Sequence, residues 1–255
     1  PRTLDAYGRQ LLVHPQLLNR DGLRTAWHDA CLRQLLLTLR EAAITAFDEI
    51  FGLLASIVPA QYRLQLSARF RQEDSQRHIV PDMMIVDPRH GGPHVLYEVK
   101  TMGWTQDAHC SAALAEGGLR GHPALRPVAR RAARIEREYH THARQVDAAL
   151  YAAGYPRPPG DAPGPAEQRI RGYGTIGALV WGHVASASDD VHRLAVLAGD
   201  HIARRSWRDV GAQTFELSRA AQIARVYRLW GLTAARARAR ASLASLAHVV
   251  GGQLQ

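Results

Sequence analysis

Hydrophobic residues recur along this chain in two periods, and the two periods mark out its elements. From Leu23 to Arg40 the apolar positions Leu23, Ala26, Trp27, Ala30, Cys31, Leu35 and Leu39 follow the 3.6-residue repeat of an amphipathic helix, with Asp21 placed to cap it. Ala42 to Pro59 supports two readings, a strand over Ile44–Phe47 or a second helix. Tyr62 to Phe70 alternates, with Leu64, Leu66 and Ala68 on one side and Arg63, Gln65, Ser67 and Arg69 on the other, which predicts a half-exposed strand. Two apolar runs, Ile79–Val86 and Val95–Met102, flank the turn-rich stretch Asp87–Pro93 and predict a β-hairpin. With the preceding strand they make an antiparallel meander.

Thr101 to Pro127 is rich in Gly and small residues and reads as a long loop. Val128 to Ala152 is a helix with apolar points at Ile135, Tyr139, Val146, Ala149 and Leu150. Gly154 to Gly174 holds Pro156, Pro158, Pro159, Pro163 and Pro165 and reads as a loop; Thr175–Trp181 is a short buried strand. Ser188 with Asp189 and Asp190 starts a helix that Gly211 stops. A further helix over Gln213–Trp230 breaks at Gly231, and Thr233 caps a last one to His248. The order is α-β-β-β-α-β with a mixed sheet flanked by helices. It divides into a lead-in segment at 1–22, a core at 23–182 and a helical C-terminal extension at 183–255 packed on that core.

Charge narrows the partners. The 255 residues carry a formal net charge of +9, which favours a polyanionic partner: nucleic acid first, DNA or also RNA, and an acidic membrane second. No apolar run of membrane-spanning length occurs, so no membrane partner is expected. Two cysteines make no disulfide framework and suit a reducing compartment, hence an intracellular protein, nuclear or wherever its target DNA lies. The sequence opens Pro1-Arg2 without Met, which fits a piece of a larger polyprotein.

The hairpin carries the candidate chemistry. Its apolar runs are interrupted by only three charges, Asp82, Glu98 and Lys100. Charge in a strand bound for the interior is costly unless paired or bound to metal. Glu98 and Lys100 are two apart and share a face, roughly 7 Å apart by strand rise; the Val99 carbonyl lies between them, and Asp82 can lie beside Glu98 on the neighbouring strand. Two carboxylates and a carbonyl are hard oxygen ligands of the kind Mg²⁺ takes, with Mn²⁺ as substitute. Lys100 is the single lysine among 32 basic residues. Arg keeps its proton, whereas Lys can surrender one and is a compact donor.

Pro81-Asp82 followed after 15 residues by Glu98-Val99-Lys100 resembles the PD-(D/E)xK, restriction-endonuclease-like nuclease superfamily. The resemblance implies a metal-dependent phosphodiester hydrolase. Asp82, Glu98 and the Val99 carbonyl would hold Mg²⁺, and Lys100 would position or deprotonate the attacking water. Glu49, with Asp48 as the spare, would add a carboxylate from the element before. Gln145 on the following helix would lie near the scissile phosphate, with Arg134, Tyr139, His142 and Arg144 as nucleic-acid contacts.

Further stretches are similar to the nuclease-like region of some protist retroelement proteins: Trp27-His28-Asp29-Ala30, Val80-Pro81-Asp82, Glu98 to Thr101, Glu138-Tyr139, Ala143 to Asp147, Gly174-Thr175-Ile176 and Trp230 to Ala234. That similarity implies a target-DNA nicking domain, with Glu98 where those relatives tend to have Asp. Double-strand cutting would need a homodimer or two successive nicks. Two other readings compete: a catalytically inactive nuclease fold that only binds nucleic acid, and a helical assembly module whose function lies in Ser188–Val250.

Overall fold

The computed structural model describes residues 23–48, 50, 53–54, 57, 59, 61–62, 80–86, 94–102, 126–182 and 187–251. Its elements are α1 (Leu23–Glu41), β1 (Ala46–Asp48), β2 (Met83–Ile85), β3 (Val95–Thr101), α2 (Arg126–Ala152), α3 (Pro165–Arg171), β4 (Gly177–Trp181), α4 (Asp189–Ser206) and α5 (Phe215–Gly251). The protein is a mixed α/β chain with a four-stranded mixed sheet in the order β1-β2-β3-β4, flanked by five helices. β1 runs antiparallel to β2 and β2 antiparallel to β3.

The segment that read either way, 42–59, yields a strand in β1, although only three residues long. Of the strand expected over Tyr62–Phe70, residues 63–70 lie outside the described residues, and Tyr62 sits in a short helical turn with Gln61. The meander that is described therefore uses β1, β2 and β3.

Packing divides the chain into two compact units, one made of 1–44, 99–132 and 179–255, the other of 45–98 and 133–178. These bounds differ from the expected core at 23–182 and extension at 183–255. The reason is α1, which packs on α4 and α5 through buried Trp27, Cys31, Leu32, Leu35 and Leu39. Gly199 of α4 lies against the Ile223 backbone of α5, where an added Cβ would collide. The buried indole of Trp230 donates to Thr38 Oγ1 at 3.0 Å, and that hydroxyl donates to the Gln34 carbonyl. At the last residue of α1, Arg225 grips both oxygens of Glu41 at 2.6 and 3.1 Å.

Two helix boundaries differ from expectation for physical reasons. Gly231 does not break α5, which continues for 37 residues. An interior Gly costs a helix only about 1 kcal/mol relative to Ala, little against packing on α1 and α4. The proline-rich stretch 154–174 contains α3, which starts at Pro165 because proline is tolerated at a first helical turn. The missing cap comes from far away: the buried Asp147 carboxylate accepts from the Ala166 and Glu167 amides at 2.8 and 3.0 Å. Ser188 is the N-cap residue of α4, but its hydroxyl makes no cap bond; it accepts from the Val180 amide at 3.0 Å, while its own amide donates to the Val180 carbonyl.

In the first unit Asp200 of α4 accepts from Arg204 and from Arg219 of α5, each at 2.8 Å. Burial pushes its carboxyl up, but the two guanidiniums outweigh burial and hold it below its ordinary value. A depressed carboxylate stabilises the fold above its unfolded pKa, near 4, and loses that contribution as pH falls through the lower folded value. Asp200→Asn is expected to cost about 1.5–3 kcal/mol at pH 7 and to flatten the acid limb of stability against pH, read by urea unfolding from pH 7 down to 3.

Candidate active site

The β2–β3 register builds the site. Met83 pairs with Tyr97, Met84 with Leu96 and Ile85 with Val95. One step beyond the ladder, the same register sets Asp82 opposite Glu98. Directly opposed residues of an antiparallel pair point to the same face, and alternate residues to opposite faces. Met83, Ile85 and Tyr97 therefore occupy one face, and Asp82 and Glu98 the other, with Leu96. Leu96, Met83 and Ile85 are buried, so both faces of the hairpin are covered and neither carboxylate is fully exposed. Gly177 of β4 lies where an added Cβ would enter the Tyr97 ring, which ties the first face down as well.

α2 approaches the carboxylate face. Its buried stripe is Ile135, Tyr139, Ala143, Val146 and Leu150. Tyr139 is 5% exposed, and its hydroxyl donates to Glu98 Oε2 at 2.6 Å. Burial raises the phenol far above its ordinary value, and the Glu98 charge, the bond to it and the Asp82 and Glu138 charges add to that. Tyr139 thus stays protonated, and Asp82, Glu98 and Tyr139 share one electrostatic environment within one unit.

Val99 and Lys100 continue β3 into the other unit. Val99 is fully buried and Lys100 half-buried. Strand alternation gives Lys100 the same face as Glu98. Asp82, Glu98, Val99, Lys100, Glu138 and His142 all have interaction partners.

The other expected site residues are placed less uniformly. Glu49 lies outside the described residues. Asp48 is exposed and pairs with Met83, so it takes the face opposite to Glu98. His142 is half-buried, one turn from Tyr139. Gln145 is exposed and about 120° around α2 from Tyr139. Arg134 is exposed on the same flank as Gln145. Arg144 takes the other flank, where it is 3.7 Å from Glu167. Tyr139 departs from its expected nucleic-acid contact: the structure buries it and commits its hydroxyl to Glu98. No sequence signal announces that bond, which joins residues 41 apart.

Among the described residues no group of three or more His, Cys, Asp and Glu side chains forms a metal cluster. The donors that are described, two opposed carboxylates, are hard oxygens that suit Mg²⁺ with water completing its shell. His28 bonds Asp29 at 3.1 Å, and burial pushes the Cys31 thiol up to about 12. No helix among the described residues is long and apolar enough to cross a membrane. Comparison with protein-family models, with curated protein sequences and with solved structures finds no match to this chain.

Tyr139→Phe keeps the ring and removes the donor to Glu98. It is expected to lower the unfolding free energy by about 1.5–3 kcal/mol, the range for a bond to a charged partner. A phenol whose folded pKa is raised stabilises the fold below its unfolded value near 10 and loses this as pH rises further. Wild-type stability should therefore fall above pH 10 more steeply than that of Tyr139→Phe, measured by denaturant unfolding at pH 8 to 11.

Proposed function

We propose that this chain is a Mg²⁺-dependent DNA endonuclease with a restriction-endonuclease-like core, acting as the target-nicking domain of a retroelement polyprotein. One observation carries the reading: the β2–β3 register sets Asp82 opposite Glu98 on a covered sheet face, with Lys100 two positions further along that face. Hard carboxylate oxygens so placed suit a divalent cation, with water completing its shell.

In this reading Asp82 and Glu98 hold Mg²⁺ with the Val99 carbonyl. The ion would supply Lewis-acid polarisation of the phosphoryl oxygens and a more acidic bound water. Lys100 holds the attacking water by hydrogen bond, or takes its proton. Tyr139 bonds the Glu98 carboxylate at Oε2 and so fixes its orientation. Gln145, Arg134 and His142 supply donors on one flank of α2 for the phosphate backbone. Attack at phosphorus leaves a 5′-phosphate and a 3′-hydroxyl, as in the superfamily that the motif resembles.

The same Tyr139 bond favours one alternative. A carboxylate already engaged by a phenol suits a catalytically inactive nuclease fold that binds nucleic acid through its positive charge. That reading predicts salt-sensitive binding with no metal-dependent product.

Supercoiled plasmid incubated with Mg²⁺ or Mn²⁺ separates the two. Wild type is expected to yield nicked or linear DNA, while Asp82→Ala and Lys100→Ala bind DNA but leave it intact. Cleavage by Lys100→Ala at the wild-type rate would sink the assignment, and salt-sensitive binding by wild type without product would favour the inactive reading.

A further inference from the structure

α5 is apolar on two sides, and its packing within the unit accounts for one of them. The inward side meets α1 and α4, where Val226, Trp230 and Ala241 are buried. A surface helix turns polar and charged residues of both signs outward, whereas a helix that is apolar all round is a covered one. The outward side of α5 departs from the surface pattern. From Ala224 to Ala244 every exposed residue is Arg, Ala or Leu. No acidic residue follows Glu216 in the helix.

The apolar members of this side line up. Leu232, Ala235, Ala239 and Leu243 fall at the i, i+3, i+7 and i+11 positions and so share one face. All four are exposed, the two leucines by 46% and 64%. They form a seam roughly 16 Å long by helix rise. The leucines stand at its ends and the alanines between them, which lets the backbone of another helix approach closely at the middle. Arg228 lies one turn before Leu232. Arg236 and Arg240, one turn apart, run along one side of the seam, and all three arginines are exposed.

The composition of the face selects its occupant. The α5 of a second copy would bring arginine to arginine with no carboxylate to answer it, and like charges set against each other cost several kcal/mol. A nucleic-acid backbone would answer the arginines but leave the leucines against phosphate and sugar. An anionic bilayer takes helices with a wide apolar face of Trp, Phe and Leu, and this seam has two leucines and no aromatic ring. A helix with its own apolar seam bordered by carboxylates satisfies leucines and arginines together. It would dock through apolar anchors spaced by helical turns, with charge pairs beside the seam setting partner choice.

We propose that the outward face of α5 docks an amphipathic helix of a partner protein, whose apolar residues cover the Leu232–Leu243 seam and whose Asp and Glu side chains meet Arg236 and Arg240. Docking there uses no residue of the hairpin and holds whether or not the chain cuts DNA.

The probe is a fluorescein-labelled three-heptad peptide with Leu at a and d and Glu at e and g, titrated with the full chain and read by fluorescence anisotropy. Repulsion among its glutamates opposes pairing of the peptide with itself. A control peptide carries Lys in place of Glu. Saturable one-to-one binding of the Glu peptide is expected, with the Lys peptide about tenfold weaker or more. Leu232→Ser combined with Leu243→Ser removes both apolar anchors without changing charge, and should weaken the Glu peptide about tenfold or more with far-UV circular dichroism unchanged. Ala239→Gln, which fills the middle of the seam, serves the same end if that variant does not fold. Arg236→Glu combined with Arg240→Glu should exchange the preference, so that the Lys peptide binds more tightly. No binding of the Glu peptide at millimolar concentration, equal binding of the two peptides, or binding unaltered in a folded seam variant would overturn the proposal. So would seam-dependent binding of phosphatidylserine vesicles or duplex DNA in place of the peptide, or dimerisation of the chain that the seam variant abolishes, followed by analytical ultracentrifugation.

Discussion

The antiparallel register between β2 and β3 is the constraint on which the candidate site depends. With Met83 facing Tyr97, Asp82 comes opposite Glu98. A slip of one residue would send one of the two carboxylates through to the other face. β2 is only three residues long, so few ladder bonds hold the register. Burial on both faces supplies the rest: Met83 and Ile85 are buried on one side and Leu96 on the other. A slip would also carry these apolar side chains to the wrong face.

α2 completes the arrangement by burying its own stripe and placing Tyr139 on Glu98. That bond joins the packing of the helix to the orientation of the carboxylate. The same helix carries Asp147, whose buried carboxylate caps α3 before the chain enters β4. Core packing, helix capping and side-chain orientation at the site therefore share one element. Mutations in the α2 stripe should disturb the carboxylates without touching them.

The shared face of the candidate residues was legible in the sequence because strand alternation is local. A run as apolar as Ile79–Val86 marks its own charge, and the spacing of Glu98 and Lys100 fixes their shared face without knowledge of the partner strand. The α/β class and most helix positions followed for the same reason. What escaped depends on residues distant in the chain. Tyr139 looked like one apolar point of a helix, yet its hydroxyl meets a residue 41 positions away. α3 hid among prolines because its cap is Asp147, 18 positions before Pro165. Gly231 looked like a break because propensity is a local quantity, whereas α5 is held by packing on α1 and α4. The packing of α1 with helices near the other end of the chain is likewise a contact between residues distant in sequence.

In the proposed function Asp82 and Glu98 act together on one divalent ion. Electron paramagnetic resonance of Mn²⁺ titrated into the protein counts that ion without requiring a DNA substrate. At least one saturable site is expected in wild type, lost in both Asp82→Asn and Glu98→Gln and weakened about 10- to 100-fold in Tyr139→Phe, the usual cost of losing a group that orients a ligand. Mn²⁺ binding of equal strength in wild type and in both carboxamide variants would contradict it.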